Sequence, residues 1–148
     1  REAEDYIHDY LRNYKGVADY MERVVEEAKK NGYVETLFGR RRYLPELASS
    51  NFNMRAFGER VARNMPIQGT AADIIKIAMV HVRNRLKAEK LDAKLILQVH
   101  DELIVECPEA ESDTVKKILE EEMANAVQLS VPMLAEAGSG KSWYQAKG

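Results

Sequence analysis

A histidine followed by two acids, His100-Asp101-Glu102, is the densest group of chemistry-bearing side chains in this 148-residue chain. Carboxylates are hard oxygen donors suited to Mg²⁺, and an imidazole beside them can exchange a hydrogen bond with a reacting group. The three lie between two apolar runs. Leu95, Leu97 and Val99 alternate with Ile96, Gln98 and His100 before them, and Leu103 and Val105 alternate with Ile104 and Glu106 after them. That spacing predicts a β-hairpin over 94–107 with its polar residues at the turn. Ladder hydrogen bonds fix the backbone of such a tip, so its side chains are aimed without the entropy cost of ordering a free loop. Such a tip is a good place to hold a metal ion. Asp and Glu are also ordinary turn residues, so the three residues alone equally allow a solvated tip.

A second constellation lies upstream. Arg60, Asn64 and Gln68 recur at i, i+4 and i+8, which on an uninterrupted helix aligns one cation and two amides. Such donors suit the DNA minor groove, whose purine N3 and pyrimidine O2 acceptors are shared by all base pairs, so a reader of them tests base-pair shape and not sequence. Each neutral contact is worth about 1 kcal/mol and the arginine roughly 1.5–3 kcal/mol. The plainer reading, amides that only cap and solvate helices, remains open. Pro66 removes a backbone donor and is expected to divide the helix, with Gln68 opening the next one. A third group, Gly39-Arg40-Arg41-Arg42-Tyr43, concentrates positive charge at a turn and reads equally as a phosphate contact or a solvated basic loop.

The elements that must position these groups follow from periodicity. Ala3, Tyr6, Ile7, Tyr10, Leu11 and Tyr14 form a tyrosine-rich helical stripe, and Val17, Tyr20, Met21, Val24, Val25 and Ala28 form a second, stopped by Asn31-Gly32. The two stripes are expected to pack on each other. Tyr33 to Leu37 is a short strand candidate, and Ser49-Ser50-Asn51 supplies caps for the helix carrying Arg60. After Gln68-Gly69, Ala71, Ile74, Ile75, Ala78, Met79, Val82 and Leu86 predict the longest helix, with Asp73 on its first turn. Val115, Ile118, Leu119 and Met123 predict an amphipathic helix, and 131–137 is a last strand candidate. The fold class is α+β: a small antiparallel sheet with a central β-hairpin, packed against several α-helices.

These stretches also carry a resemblance. Gln98-Val99-His100-Asp101-Glu102, with an apolar strand on either side, resembles the carboxylate motif in the palm of family A DNA polymerases, the bacterial DNA polymerase I type. The segment from Thr36 to Pro45 is similar to the Thr-Leu-x-Gly-Arg-Arg segment of that family. Arg60, Asn64, Pro66 and the run Gln68-Gly69-Thr70-Ala71-Ala72-Asp73 are similar to the family's segment that follows the duplex. The likeness covers essentially the whole chain. It implies template-directed DNA synthesis in replication and repair, with a nucleotide transferred from a dNTP to the primer 3′-hydroxyl at two Mg²⁺ ions about 4 Å apart. In that scheme Asp101 is a metal ligand, Glu102 a weaker neighbour and His100 a support for the primer terminus. Arg55, Arg60, Asn64 and Gln68 hold the duplex, and Arg41 and Arg42 contact phosphates. The implied partners are primer-template DNA, dNTP and the remainder of the polymerase chain, in a bacterial cytoplasm at the nucleoid. Residues 1–32 would adjoin the fingers, and 33–148 would belong to the palm.

The likeness is incomplete. The family's other catalytic aspartate, in an Asp-Tyr-Ser-type motif, and its nucleotide-gripping fingers helix should lie before Arg1. The chain starts at Arg1, without methionine, inside a helical pattern, and is expected to be a piece of a longer protein. Adjacent strand residues face opposite ways, so Asp101 and Glu102 cannot together replace the missing acid. Alone, the piece is expected not to polymerise.

Composition excludes other classes. The formal net charge of -2 announces no general nucleic-acid binder, so any such binding rests on local clusters. Cys107 is the sole cysteine, which rules out an intrachain disulfide and fits a reducing compartment. His8 and His81 stand at no zinc-ligand spacing. No apolar run reaches the roughly 20 residues that span a bilayer. Gly138-Ser139-Gly140-Lys141-Ser142 resembles the end of a phosphate-binding loop, yet position 135 is alanine where that pattern needs glycine, and too little chain follows for the receiving helix. Two alternatives to a polymerase are a non-catalytic nucleic-acid-binding domain and a metal-dependent nuclease.

Overall fold

A computed structural model describes residues 2–147. Helices α1 (Glu2–Asn13) and α2 (Lys15–Asn31) are followed by strands β1 (Tyr33–Glu35) and β2 (Arg41–Tyr43), a 3₁₀ turn Pro45–Ala48 and the long helix α3 (Phe52–Ala88). Strands β3 (Lys94–Val99) and β4 (Glu102–Glu106), helix α4 (Ser112–Ala124) and the short α5 (Trp143–Ala146) complete the order. Arg1, Gly148 and the side chain of Ala3, each invoked in the sequence reading, lie outside the described residues. The chain divides into two compact units, one running to Thr70 and one starting at Ala71. Among the described residues no helix is long and apolar enough to cross a membrane.

In the first unit, Val24, Val25 and Ala28 of α2 are buried with Val34, Leu44, Leu47 and Ala62, and Tyr20, Val61 and Met65 pack against them. Burying each large aliphatic side chain there contributes roughly 1.5–3 kcal/mol. The predicted stop of α2 is present: Gly32 takes φ 78°, and its N–H donates to the Ala28 carbonyl at 2.8 Å. The N–H of Leu44 donates to the Gly32 carbonyl at 2.9 Å, which ties the β1–β2 hairpin to the end of that helix. The tyrosine stripe of α1 departs from expectation. Tyr6, Ile7, Tyr10 and Tyr14 are all exposed, and Tyr10 stacks on Tyr14 at 4.7 Å between ring centroids. Periodicity identifies an apolar face but not what covers it.

Helix α3 also departs from expectation. It runs through Pro66 without a break, so Gln68 does not open a new helix and Asp73 lies in the interior, away from any helix end. Asn51 caps its start, its Oδ1 accepting the N–H of Asn53 at 2.8 Å and of Met54 at 3.4 Å. Proline costs a helix one donor, and one turn later the Thr70 hydroxyl donates to the Pro66 carbonyl while accepting the N–H of Leu37 at 2.9 Å. The side chain thus links helix and hairpin loop across the place where the break was expected.

In the second unit, Val82 and Leu86 of α3 are buried with Val115 and Ile118 of α4, and Leu103, Val105 and Cys107 pack on this cluster. The expected hairpin at 94–107 forms. Its register pairs Leu95 with Val105 and then Leu97 with Ile104, so Ile96 is an extra residue in β3 and the alternation slips there. Leu97, placed by alternation with Leu95 and Val99, is accordingly exposed. The class is α+β, but in place of one sheet around a central hairpin there are two separate two-stranded antiparallel sheets. Residues 131–137 form no strand; Pro132 lacks the N–H a ladder needs.

Candidate functional site

Val99 pairs with Glu102, which leaves His100 and Asp101 as a two-residue turn. The first residue of such a turn often needs positive φ, where glycine is preferred. His100 supplies φ 52° in spite of its Cβ. The amide of Gln98 donates to the His100 carbonyl at 2.6 Å and ties the turn back to its own strand. Strained residues of this kind persist only where surrounding bonds determine them.

The two acids differ in circumstance. Asp101 is exposed, and its carboxylate has no hydrogen-bond or ion-pair partner among the described residues. Glu102, which starts β4, receives the ammonium of Lys147 at 2.8 Å. The same ammonium lies 5.9 Å from the centre of the Trp143 ring. Nothing in the spacing of the sequence pairs Lys147 with Glu102, and this contact went unanticipated. Among the described residues no three His, Cys, Asp or Glu side chains converge as a metal cage. The donor available at the tip is therefore one uncommitted carboxylate, a ligand type that fits Mg²⁺, which takes one or two such groups and fills its sphere with water and phosphate.

In the first unit, unbroken α3 places Arg60, Asn64 and Gln68 on one face, all exposed. Arg60 rests over the Phe57 ring at 5.9 Å. Arg55 points elsewhere: its Nη1 donates to the carbonyls of Ser49 and Ser50, each at 2.8 Å, and so braces the turn that starts α3. The three arginines of the first hairpin are distributed among different tasks. Arg40 donates to the Gly69 carbonyl at 2.9 Å. Arg41 donates to Glu35 at 3.0 Å and lies 4.5 Å from the centre of the Tyr33 ring. The hydrogen bond to Glu35 and the charges around it raise the Arg41 pKa further. Arg42 is exposed and has no partner among the described residues.

The chain thus carries a hairpin tipped by an unpaired carboxylate and a helix face lined with exposed guanidinium and amide donors. The sequence profile of DNA polymerase family A matches residues 1–145, and the chain belongs to that family. Within it, the chain is similar to DNA polymerase I: it is 52% identical to that of Bacillus caldotenax and 53% identical to that of Bacillus subtilis strain 168, each over 147 residues. These alignments cover 99% of this chain and 17% of each relative, so the chain spans about a sixth of their length. Among solved structures, the POL domain of Pol1 from M. smegmatis, in complex with DNA primer-template and dNTP, matches with a TM-score of 0.95 at 46% identity. That match covers 99% of this chain and 26% of the other.

Proposed function

We propose that this chain supplies the hairpin half of the catalytic centre, and part of the duplex-binding surface, of a longer DNA polymerase that extends a primer on a template. One observation carries the reading: in a chain of this family, the Asp101 carboxylate stands exposed and uncommitted at the tip of a rigid hairpin. Residues 33–148 belong to the palm in this proposal, and residues 1–32 adjoin the fingers. The longer protein works in the bacterial cytoplasm with the nucleoid in this reading, which its bacterial relatives support.

Asp101 would hold Mg²⁺, which when bound offsets the charge that develops on the transferred phosphoryl group. His100, its backbone pinned by Gln98, presents an imidazole beside that position and steadies the primer terminus. Glu102 is the weaker acid of the pair, because its charge is already answered by Lys147. On α3, each step of four residues rises about 6 Å, so Arg60, Asn64 and Gln68 span about 12 Å along the helix. Base pairs rise 3.4 Å, so that row reaches three to four steps of the minor groove. The amides and guanidinium there donate to acceptors common to all four base pairs, which makes the grip sensitive to pair shape. Arg42, exposed and without a partner among the described residues, contributes positive charge toward phosphates, while Arg41 is held by Glu35 and Arg55 braces the start of α3.

The test is primer extension by the full-length polymerase carrying Asp101→Ala, with primer-template binding measured in parallel. Extension should fall by orders of magnitude while binding persists, and a variant with near-normal turnover overturns the assignment. Release of mononucleotides from DNA in the absence of dNTP would point to a nuclease instead. Expressed alone, this chain should not extend a primer, since among its described residues only one acid at the tip is uncommitted.

A further inference from the structure

The sequence motif that the polymerase reading leaves unused is Gly138-Ser139-Gly140-Lys141-Ser142, and the structure gives it a different task. The chain doubles back there against α5. A Cβ at Gly138 would sit 2.0 Å from the Ala146 carbonyl oxygen, and one at Gly140 would sit 2.7 Å from the Gln145 Cβ and 2.8 Å from the Ala146 nitrogen. Only glycine permits that approach. The reversal is fastened at both ends: the N–H of Lys141 donates to Gln145 Oε1 at 3.0 Å, and Ser142 caps α5 by accepting the Gln145 N–H at 3.4 Å. The product of this fold-back is Lys147, delivered to Glu102 at 2.8 Å.

We propose that Lys147 is a positioning residue for the catalytic hairpin: it occupies the Glu102 carboxylate, keeping that acid out of the metal site and leaving Asp101 as the one metal-binding carboxylate of the tip. The proposal rests on the reading of Asp101 given above. Three observations converge on it. Asp101 and Glu102 are adjacent, yet among the described residues only Glu102 has a cation. The ammonium is placed by a glycine reversal, and among the described residues its one other contact is the Trp143 ring. The pair is partly open to solvent, with 38% of the Glu102 side chain and 64% of the Lys147 side chain exposed. It therefore adds little to folding, and its consequence lies in where a charge is allowed to point.

The experiment uses the full-length polymerase with Lys147→Met, Lys147→Arg, Glu102→Gln and the double variant Lys147→Met/Glu102→Gln. Binding of Mn²⁺ is followed by electron paramagnetic resonance, alongside primer extension as a function of Mg²⁺ concentration. Lys147→Met frees Glu102 and should tighten Mn²⁺ binding by about two- to fivefold, the size of effect an exposed ion pair commands. The Mg²⁺ concentration for half-maximal extension should fall in step. Lys147→Arg keeps the cation and should match the wild type, and in the Glu102→Gln background Lys147→Met should shift nothing further. Unchanged Mn²⁺ binding in Lys147→Met, or an equal shift in Lys147→Arg, overturns the proposal. Asp101→Ala, run in the same series, separates the two readings. If it abolishes extension while Lys147→Met leaves Mn²⁺ binding unchanged, the role of Lys147 alone is wrong; if it leaves extension intact, the catalytic reading itself fails.

Discussion

The two hairpins of this chain are similar in size and opposite in use. The β1–β2 hairpin commits its polar groups to the fold, Arg42 excepted. Glu35 and Arg41 pair across the strands, the Tyr33 and Tyr43 rings meet at 5.7 Å, the Thr36 hydroxyl accepts the N–H of Arg40, and Arg40 reaches the Gly69 carbonyl. The β3–β4 hairpin leaves one acid unanswered at its tip and accepts a strained backbone beneath it. Residue type alone does not separate them, since both hairpins carry charged side chains. The separation comes from what the fold leaves unsatisfied: an internally paired group has its interaction energy already assigned, and a free one on a rigid support is available to a ligand.

The sharpest way to break this contrast is Asp101→Asn in the full-length polymerase, which keeps shape and removes charge. Primer extension should drop by orders of magnitude with no change in thermal stability, because the carboxylate contributes nothing to the fold. The mirror experiment is Leu44→Ala, at the root of the first hairpin, where the side chain is only 1% exposed. Loss of about 2–5 kcal/mol in denaturant unfolding is expected, with activity lost only as the protein unfolds. A smaller effect is expected of Gln68→Ala on the exposed row of α3. Primer-template affinity should weaken about fivefold, the loss of about 1 kcal/mol from one neutral hydrogen bond, equally for every template sequence. The finest distinction is between neighbours in the first hairpin itself. Arg42→Ala should reduce the salt dependence of DNA binding by about one unit of slope. Arg41→Ala, whose charge is internally paired, should leave that slope nearly unchanged and lower stability slightly; equal slopes would erase the contrast between committed and free cations.

Much of this was legible from residues. The spacing of Val24, Val25 and Ala28, the glycine stop at position 32 and the apolar runs around His100 each state a local preference that the fold accepts. The misreadings arise where a local rule states a preference that the rest of the fold does not meet. Pro66 was expected to break α3, but the helix runs on through it, with the Thr70 hydroxyl donating to the Pro66 carbonyl and accepting the Leu37 N–H. Alternation placed Leu97 with Leu95 and Val99, but the extra residue Ile96 shifts the register. The tyrosines of α1 have helical spacing and lie exposed. For the candidate site, the types and order of His100, Asp101 and Glu102 were plain. What could not be read was the pairing of Glu102 with Lys147, because a contact between distant positions leaves no periodic trace.

The left-handed backbone at His100 has a consequence for anyone who tries to harden this molecule. A β-carbon in that conformation costs about 1–2 kcal/mol, so a search for thermostabilising replacements that scores only the folded chain should rank His100→Gly among its best suggestions. The same replacement would strip the turn of its only imidazole. On the role proposed for His100, heat resistance and turnover are set against each other at a single position.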